Sequence, residues 1–454
     1  MVEVPVKLYI QNILKKARDA ARPLAALPGS TKDAALRAMA DRVEADEDAI
    51  LEANRQDVET VGKTLEGETN KDTIKQVVDR VRLTAKSLRD MADTLRRIAE
   101  LPDPVGEITS LGTQPNGLQV SRLRMPIGVI AIISDLGPTV SVEMMALCVK
   151  AGNVAVLREA SEWSQSNKAI FVGLREAGER AGLPAGAVSF IERMDREAAL
   201  EVVRQTKLVD AVVPRGSAAL RKAITEQTRI PILCNDSGVS TVYLDAGADL
   251  PLAQNVVVNS KLQQVGAFNA ADTVLVHQEI ARTLVPGLVR RLLDEFRVEV
   301  RGCKKTIALT GAQTMSGYQS AKEAVDEDWS CQFQSKTVAM KVVMDLDEAL
   351  EHLTRYGPGH TATIVTRDYS TAWRFVREVD AGAVLVNATT RFHDGHELGL
   401  GGEVGIATGR LHVRGPIALE ALTCQKYVVM GTGQLRLPHP VPTAYEDAIM
   451  LKRM

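Results

Sequence analysis

The sequence has few cysteines, few histidines and few aromatic residues. Its five cysteines are odd in number and far apart, and no two of them form a C-x-x-C pair. Its seven histidines contain no H-E-x-x-H spacing or other helical ligand pair. The composition therefore argues against a disulfide framework and against metal chemistry.

An excess of charge and a long apolar run are also missing. The 55 basic residues against 57 acidic ones give a net charge of −2, so no overall field attracts nucleic acid or anionic lipid. No apolar run reaches the roughly 18 residues of a membrane span, and residues 6–16 have helical spacing without the apolar core of a signal peptide. We expect a cytoplasmic protein with no membrane or nucleic-acid partner.

Apolar periodicity is abundant. From about residue 5 to residue 103, apolar residues recur at steps of three and four, which predicts a helical layer that packs on another part of the fold. From Gly128 onwards, short apolar strands alternate with helices, as in parallel sheets covered on both faces. The predicted strands are 129–133, 154–157, 188–191, 211–213, 241–244, 273–276, 306–309, 338–343, 363–365 and 382–386.

The segment between these two regions has a different texture. Residues 108–112 and 118–123 flank Pro115-Asn116-Gly117, a strong signal for a hairpin turn. The sequence therefore predicts a β-hairpin that stands apart from the parallel sheets.

Several short segments follow the pattern of one family in order and spacing. The densest are N-A-T-T-R-F-H-D-G at 387–395 and G-L-G-G-E-V-G-I at 399–406. The others are 126–130, 147–153, 213–216, 356–361, 414–416 and 426–429. Across nearly its whole length the chain resembles γ-glutamyl phosphate reductase, also called glutamate-5-semialdehyde dehydrogenase, of the aldehyde dehydrogenase superfamily.

The resemblance implies two doubly wound α/β domains and a β oligomerisation arm. It assigns a cofactor-binding-type domain to residues 1–105 and 127–237, and a catalytic-type domain to residues 238–424. The arm would combine 106–126 with 425–454. Because such an arm cannot cover its edges within one chain, we expect a homo-oligomer.

The family reaction implies a cofactor and a set of site residues. A thiolate attacks γ-glutamyl phosphate and expels phosphate, and hydride from NADPH reduces the thioester to glutamate-5-semialdehyde for proline biosynthesis. Matched cofactor-binding positions are Glu162, Arg215, Gly216 and Glu403, the last being the acid that holds the nicotinamide ribose. Matched substrate-binding positions are Arg391, His360 and Arg414, where the arginines suit anions unless they form structural salt bridges.

The catalytic position departs from the family. The family's cysteine stands in a glycine-x-cysteine-asparagine-alanine stretch, and this chain has Phe268 there, followed by Asn269 and Ala270. Phenylalanine has no nucleophilic atom. We expect its ring to fill the space of the thiol and the acyl group, between the two domains.

Two other segments also depart. Where the family has arginine-proline-asparagine, whose asparagine resembles an oxyanion donor, this chain has Gly137-Pro138-Thr139, and threonine offers a shorter donor. Where the family has two glycines and a lysine before a glutamate, this chain has Glu159-Ala160-Ser161 before Glu162. A carboxylate near a cofactor phosphate argues against binding of NADP(H).

Two functional hypotheses follow. In the first, the chain is a pseudoenzyme that keeps a glutamyl or phosphate pocket and acts as a binding, regulatory or scaffolding subunit, beside an active reductase or a glutamate kinase. In the second, it is an active oxidoreductase with a relocated thiol. Cys234 is the first candidate, since aldehyde dehydrogenases place their general base at a similar separation from the nucleophile, and Cys331 is another. The alternative for Cys234 is a small buried residue that ends a strand.

Overall fold

The structure is a computed structural model that describes residues 5–65, 71–233, 238–310, 321–357, 359–410 and 413–436. Within these ranges, two parallel sheets carry most of the chain, a helical layer covers the first sheet, and an antiparallel sheet stands apart. No helix in the described ranges is both long enough and apolar enough to cross a membrane.

The helical layer forms where the apolar periodicity predicts it. Leu36, Met39, Ala40 and Val43 form the buried stripe of one helix, which packs against two others. The helices of the layer are α1 (Val6–Ala25), α2 (Gly29–Ala45), α3 (Glu47–Thr64), α4 (Lys71–Val81) and α5 (Ala85–Glu100).

The first parallel sheet has four strands in the order β5-β4-β3-β6. All six residues of β3 are buried, because helices cover both faces of the sheet. Its strands are β3 (Val129–Ser134), β4 (Val154–Arg158), β5 (Val188–Phe190) and β6 (Ala211–Arg215), and its helices are α6 (Pro138–Lys150), α7 (Ser164–Arg180), α8 (Arg196–Arg204) and α9 (Ala218–Gln227). We call residues 134–139, 158–163 and 215–217, which follow its strands, the carboxyl edge.

The second parallel sheet has seven strands in the order β10-β9-β11-β8-β7-β12-β13. Its strands are β7 (Ser240–Leu244), β8 (Thr273–His277), β9 (Glu299–Gly302), β10 (Lys322–Glu323), β11 (Thr337–Val343), β12 (Gly359–Val365) and β13 (Ala381–Val386). Its helices are α10 (Leu250–Leu262), α11 (Gln278–Arg290), α12 (Lys304–Thr310), α13 (Leu346–Tyr356) and α14 (Tyr369–Glu378). We call residues 238–240, 268–272, 331–337 and 359–361, which begin or precede its strands, the amino edge.

One predicted strand is wrong. Residues 306–309 lie inside helix α12, and the place beside β11 in the sheet belongs to β9. An apolar run of four residues fits a helix as well as a strand, and the pairing of β9 with β11 over Thr337–Met340 decides between them.

The predicted hairpin is present, and a distant strand extends it. Strands β1 (Ile108–Thr113) and β2 (Gln119–Pro126) pair antiparallel, and β16 (Thr423–Met430) pairs with the other side of β2. We call these three strands the arm; residues 437–454 of the predicted arm lie outside the described residues. A two-stranded ladder of β14 (Ile406–Ala407) and β15 (Gly415–Pro416) precedes β16.

The segment before the arm strand β16 returns to the first sheet. Val404, Ile417, Leu419 and Leu422 are buried in the same apolar core as strand β3 and helix α6. The amide of Asn153 donates to the Leu422 carbonyl at 2.8 Å. Late residues therefore complete the core that the first half of the chain begins.

Candidate functional site

Phe268 brings the two parallel sheets into contact. It lies half-buried in the loop before β8, and its carbonyl accepts a hydrogen bond from the Ser240 hydroxyl at 3.0 Å. The guanidinium carbons of Arg215 and Arg221 lie 5.9 and 5.2 Å from the centre of its ring. Such cation–π contacts are worth about 0.5–1 kcal/mol each where water still reaches them. The ring thus stands between the carboxyl edge and the amino edge, and its equivalence to the family's cysteine stays a prediction.

Asn269, the next residue, is 4% exposed and holds a neighbouring turn. Its amide donates to the His393 carbonyl at 2.9 Å, and its own carbonyl accepts from the Thr390 hydroxyl at 2.6 Å. These bonds fix the loop that carries Phe268 against residues 390–393. The amide nitrogen of Asn269 is thus engaged with a backbone carbonyl, and its catalytic role stays a prediction.

The segment Gly137-Pro138-Thr139 opens helix α6, and Thr139 is exposed there. Trp163, which the sequence analysis missed, covers this start of the helix. Trp163 is only 2% exposed, and a Cβ added to Gly137 would lie 3.0 Å from its ring. Because Gly137 has a φ of +93° as well, both space and backbone favour glycine at this position.

Glu159 is directed inward under the carboxyl edge. It is fully buried, and its carboxyl group accepts a short hydrogen bond from the Ser141 hydroxyl in the first turns of α6. Burial raises the pKa of Glu159 to about 8, although the hydroxyls of Ser141 and Ser134 act in the opposite direction. At neutral pH this acid is therefore mostly protonated.

The carboxylate of Asp135, which follows β3, contacts the start of helix α9. The sequence analysis missed this contact. Both carboxylate oxygens of Asp135 accept from the Ser217 N–H, at 3.1 and 3.2 Å. A Cβ added to Gly216 would come within 1.6 Å of the nearer oxygen. Gly216 is thus needed for a contact inside the protein, besides its predicted role at a cofactor.

The two predicted cofactor acids also have partners in the chain. Glu162 lies 4.0 Å from the Arg80 guanidinium, which sits over the Trp163 ring. Glu403 accepts the Gly395 N–H at 2.9 Å, and burial raises the pKa of Glu403 to about 7. A surface groove borders the Glu403 loop, and its lining residues are Arg97, Glu100, Leu101, His396, Gly399 and Gly401.

The three predicted substrate residues have different bonding partners. Arg391 is half-buried and donates to two neutral groups, the side-chain oxygens of Gln263 at 2.8 Å and Gln264 at 2.9 Å. Arg414 forms an ion pair with Asp380. Arg391 thus has no carboxylate among these hydrogen-bond partners, although Asp394, Glu403 and Glu397 lie near enough to interact with its charge, whereas Arg414 pairs directly with Asp380.

His360 is fully buried inside a short polar chain. Its Nδ1 lies 2.7 Å from the Thr361 hydroxyl oxygen, which is 2.8 Å from Nδ1 of His393. Burial lowers the pKa of His393 to about 4, so that this imidazole is neutral at physiological pH. His360 is thus a buried residue of the amino edge, linked through Thr361 to His393 in the loop of Arg391.

A buried lysine at the amino edge also went unpredicted. Lys261 is fully buried, and among the described residues none accepts a hydrogen bond from its Nζ, which lies 5.9 Å from the centre of the Phe333 ring. Burial lowers its pKa. Burial also raises the pKa of the nearby Asp272 to about 6, although Lys261 opposes that shift. A single lysine gives no periodic signal in the sequence, so only the fold shows that Lys261 is buried.

Of the two candidate thiols, Cys331 and Cys234, the structure describes only Cys331. Burial raises the pKa of the Cys331 thiol, which disfavours the thiolate form that a nucleophile needs. Cys234 lies outside the described residues. In the ranges that the structure does describe, no group of three or more histidine, cysteine, aspartate or glutamate residues could hold a metal ion.

Known proteins match this chain over most of its length. The model of the aldehyde dehydrogenase family matches residues 7–325. Gamma-glutamyl phosphate reductase of Heliobacterium modesticaldum is 42% identical, over 93% of this chain and 97% of that protein. The corresponding protein of Moorella thermoacetica is 43% identical, over 95% of this chain and 99% of that protein.

Solved structures agree. The crystal structure of gamma-glutamyl phosphate reductase from Thermotoga maritima has a TM-score of 0.87 at 38% identity, covering 94% of this chain and 99% of that one. An acetylating aldehyde dehydrogenase from Geobacillus thermoglucosidasius, at 18% identity and a TM-score of 0.67, shares the fold alone, over 95% of this chain and 98% of that one. The chain therefore has the predicted aldehyde dehydrogenase fold and belongs to the aldehyde dehydrogenase family, among its γ-glutamyl phosphate reductases.

Proposed function

We propose that this chain is a γ-glutamyl phosphate reductase homologue that no longer catalyses the family reaction and acts as a binding or regulatory subunit of proline biosynthesis. The observation that carries the proposal is Phe268, which stands where the resemblance places the nucleophile and lies between Arg215 and Arg221. Without a thiolate no thioester forms, and hydride transfer has no acceptor.

The surroundings of Phe268 support the same conclusion. The side-chain amide of Asn269 donates to the His393 carbonyl, and Thr139 stands where the family has the asparagine that resembles an oxyanion donor. The nearby thiol of Cys331 has a raised pKa, so little thiolate is present at neutral pH. Nucleophile and oxyanion donor are therefore both altered in a fold whose strands are intact.

The amino edge keeps features of an anion site, and the ligand that we propose is a glutamyl or phosphate anion. Arg391 has only amide oxygens as bonded partners among the contacts described above, so its paired donors suit a carboxylate or phosphate. Lys261 is a second basic group beside this edge, where it is buried near Asp272. This preference for anions needs no catalytic thiol.

The arm supports assembly. Ile108, Tyr427, Val429 and Met430 are apolar or aromatic and are each more than half exposed, and β1 and β16 form the outer strands of this sheet. Open strands with exposed apolar side chains favour pairing with a second copy, so we propose a homo-oligomer. An active reductase is a further proposed partner, because it would carry the same arm, and a glutamate kinase is another.

The direct test is turnover. The purified chain with glutamate-5-semialdehyde, phosphate and NADP should form NADPH at less than about 0.001 per second, whereas enzymes of ordinary efficiency reach about 1–1000 per second. A rate of about 1 per second or more would contradict the proposal. The relocated-thiol alternative then requires that one of the two variants, Cys234→Ala or Cys331→Ala, abolish that rate and that the other leave it unchanged.

A further inference from the structure

We infer that the carboxyl edge, the cofactor side of the proposed site, is filled by the chain's own Asp135, Glu159 and Trp163, together with Phe268, and that the chain does not bind NADP(H). The inference rests on the proposed function only for the assignment of this edge to the cofactor. Apart from Phe268, which both share, the contacts of Asp135, Glu159 and Trp163 are separate from those that argue against catalysis.

The first contact concerns the phosphates. In doubly wound folds, ligands bind beyond the carboxyl ends of the parallel strands, and phosphates lie at the amino-terminal ends of the helices that follow. Helix α9 follows β6 in this way, through Gly216 and Ser217. Its leading N–H, that of Ser217, already donates to both oxygens of Asp135. A carboxylate of the protein thus occupies the position that suits a phosphate.

Gly216 shows how tightly that position is filled. An added Cβ would lie 1.6 Å from the Asp135 oxygen, although glycine at such a place normally allows a ligand to approach the backbone. Here the space that glycine provides is taken by the side chain from the neighbouring strand end. A phosphate could enter only after Asp135 moved away.

The second contact is that of Glu159, at the end of strand β4, which neighbours β3 in the sheet. Glu159 follows β4, and its buried carboxyl group bonds to Ser141 near the amino-terminal end of α6. Two acidic side chains therefore stand against the two helix starts that flank β3. A dinucleotide with two or three phosphates would meet the carboxylate of Asp135, whose like charge disfavours binding, whereas the buried and mostly protonated Glu159 takes up space beneath the edge rather than adding charge.

Aromatic rings close the rest of the edge. Trp163 packs on Gly137 at the start of α6 and, with Val61 and Val81, joins the edge to the helical layer. Phe268 enters from the other sheet and lies against Arg215 and Arg221. Both arginines, which could otherwise attract cofactor phosphates, thus face an aromatic ring. The residues present do not fit the dinucleotide that the family implies.

Calorimetric titration of the full chain with NADPH, and separately with NADP, tests this inference. Wild type should show no saturable binding up to about 1 mM, a very weak affinity for a cofactor. Asp135→Ala with Glu159→Gln should bind NADPH with a Kd below about 100 µM, a gain of at least tenfold. The matched control Asp90→Ala with Glu59→Gln makes the same two substitutions at exposed positions and should bind no better than wild type.

Each failure has its own meaning. Saturable binding of NADPH to wild type below about 1 mM overturns the inference, and if turnover remains absent the proposed function still stands. A folded double variant that gains less than tenfold also overturns it, because the named carboxylates would then not be the obstacle. If the double variant does not fold, Asp135→Ala alone is judged by the same tenfold criterion. Turnover by wild type would instead contradict the proposed function.

Discussion

The carboxyl edge of the first sheet and the amino edge of the second sheet meet at Phe268 but treat charge in opposite ways. At the carboxyl edge, the Asp135 carboxylate accepts the Ser217 N–H at the start of α9, and the buried carboxyl group of Glu159 accepts from the Ser141 hydroxyl of α6. At the amino edge, Lys261 and Arg391 are positively charged groups without a bonded carboxylate among the described contacts. Under the proposed function, the difference teaches that one half of an inherited cleft can close while the other keeps its preference for anions.

The largest expected effect tests the neutral acid of the carboxyl edge. The folded-state pKa of Glu159, about 8, lies above its ordinary value of 4.5, so its stabilising contribution is complete below about pH 4.5 and is lost as pH rises to about 8. Relative to Glu159→Gln, wild type should lose about 1.4 kcal/mol of unfolding free energy per pH unit between pH 5 and 8, on the order of 4 kcal/mol in total.

Urea unfolding of both proteins across this range measures the difference. Glu59→Gln, on the exposed surface of helix α3, is the matched control and should follow wild type. Comparing variants at each pH removes the effect of other groups, such as His393, whose lowered pKa makes stability fall as pH decreases below about 6.5. Parallel curves for wild type and Glu159→Gln would mean that the carboxyl edge holds no buried neutral acid.

The second test asks whether a thiol at position 268, on the amino edge, is sufficient to restore the family reaction. Phe268→Cys returns a thiol but leaves Thr139, Asp135 and Glu159 in place, so kcat should remain at least a hundredfold below about 10 per second, a deficit of about 2.7 kcal/mol. Phe268→Ser opens the same space without a thiol and controls for the loss of the ring. Full activity of Phe268→Cys would refute the idea that the two edges have diverged.

The third test removes the ring that joins the two edges. Phe268→Ala should lower the unfolding free energy by about 1–2 kcal/mol, since a half-buried phenylalanine loses part of its transfer free energy and its contacts with Arg215 and Arg221. Hydrogen exchange should become faster at residues 215–221. Phe296→Ala, which truncates another half-buried ring beside an arginine, should leave exchange there unchanged. Equal exchange in both variants would show that Phe268 does not hold the edges together.

The smallest effect separates two arginines of the amino edge. Arg391→Ala should weaken binding of inorganic phosphate or glutamate about tenfold, or 1.4 kcal/mol, because its donors have only neutral partners. Arg414→Ala should change the affinity less than threefold, because Asp380 already neutralises that guanidinium. Calorimetry with each anion measures both, and circular dichroism checks folding. Equal affinities in wild type and Arg391→Ala would place the anion site elsewhere.

The sequence predicted the elements well where local pattern decides them. The apolar strands at 129–133 and 154–157 and the hairpin around Asn116 are present, since burial on two faces and a turn motif leave local traces. The strand prediction for residues 306–309 was wrong because the place beside β11 is decided by pairing with β9, and that pairing is not visible in the local sequence.

The site was harder to predict for the same reason. Sequence reasoning identified Phe268 and the changed loop at Glu159, but it missed Asp135, Trp163 and Lys261, whose contacts come from other elements. It also grouped Arg391 with Arg414, although only the fold shows that Asp380 pairs with the latter. A residue type indicates what chemistry is available, and its partners decide whether the group is already used.

The return of residues 404–430 to the first half of the fold has a consequence for synthesis. Strand β2 pairs along all eight of its residues with β16, which leaves the ribosome about 300 residues later, and Val404, Ile417 and Leu422 fill the core beneath β3. Until residues 404–430 are synthesised, the first sheet therefore has an incomplete core, and strand β2 of the arm has an unpaired edge. Nascent chains in that condition associate easily with other exposed strands. Synthesis of residues 404–430, rather than completion of the first sheet, is thus the event that closes this core and covers the edge of β2.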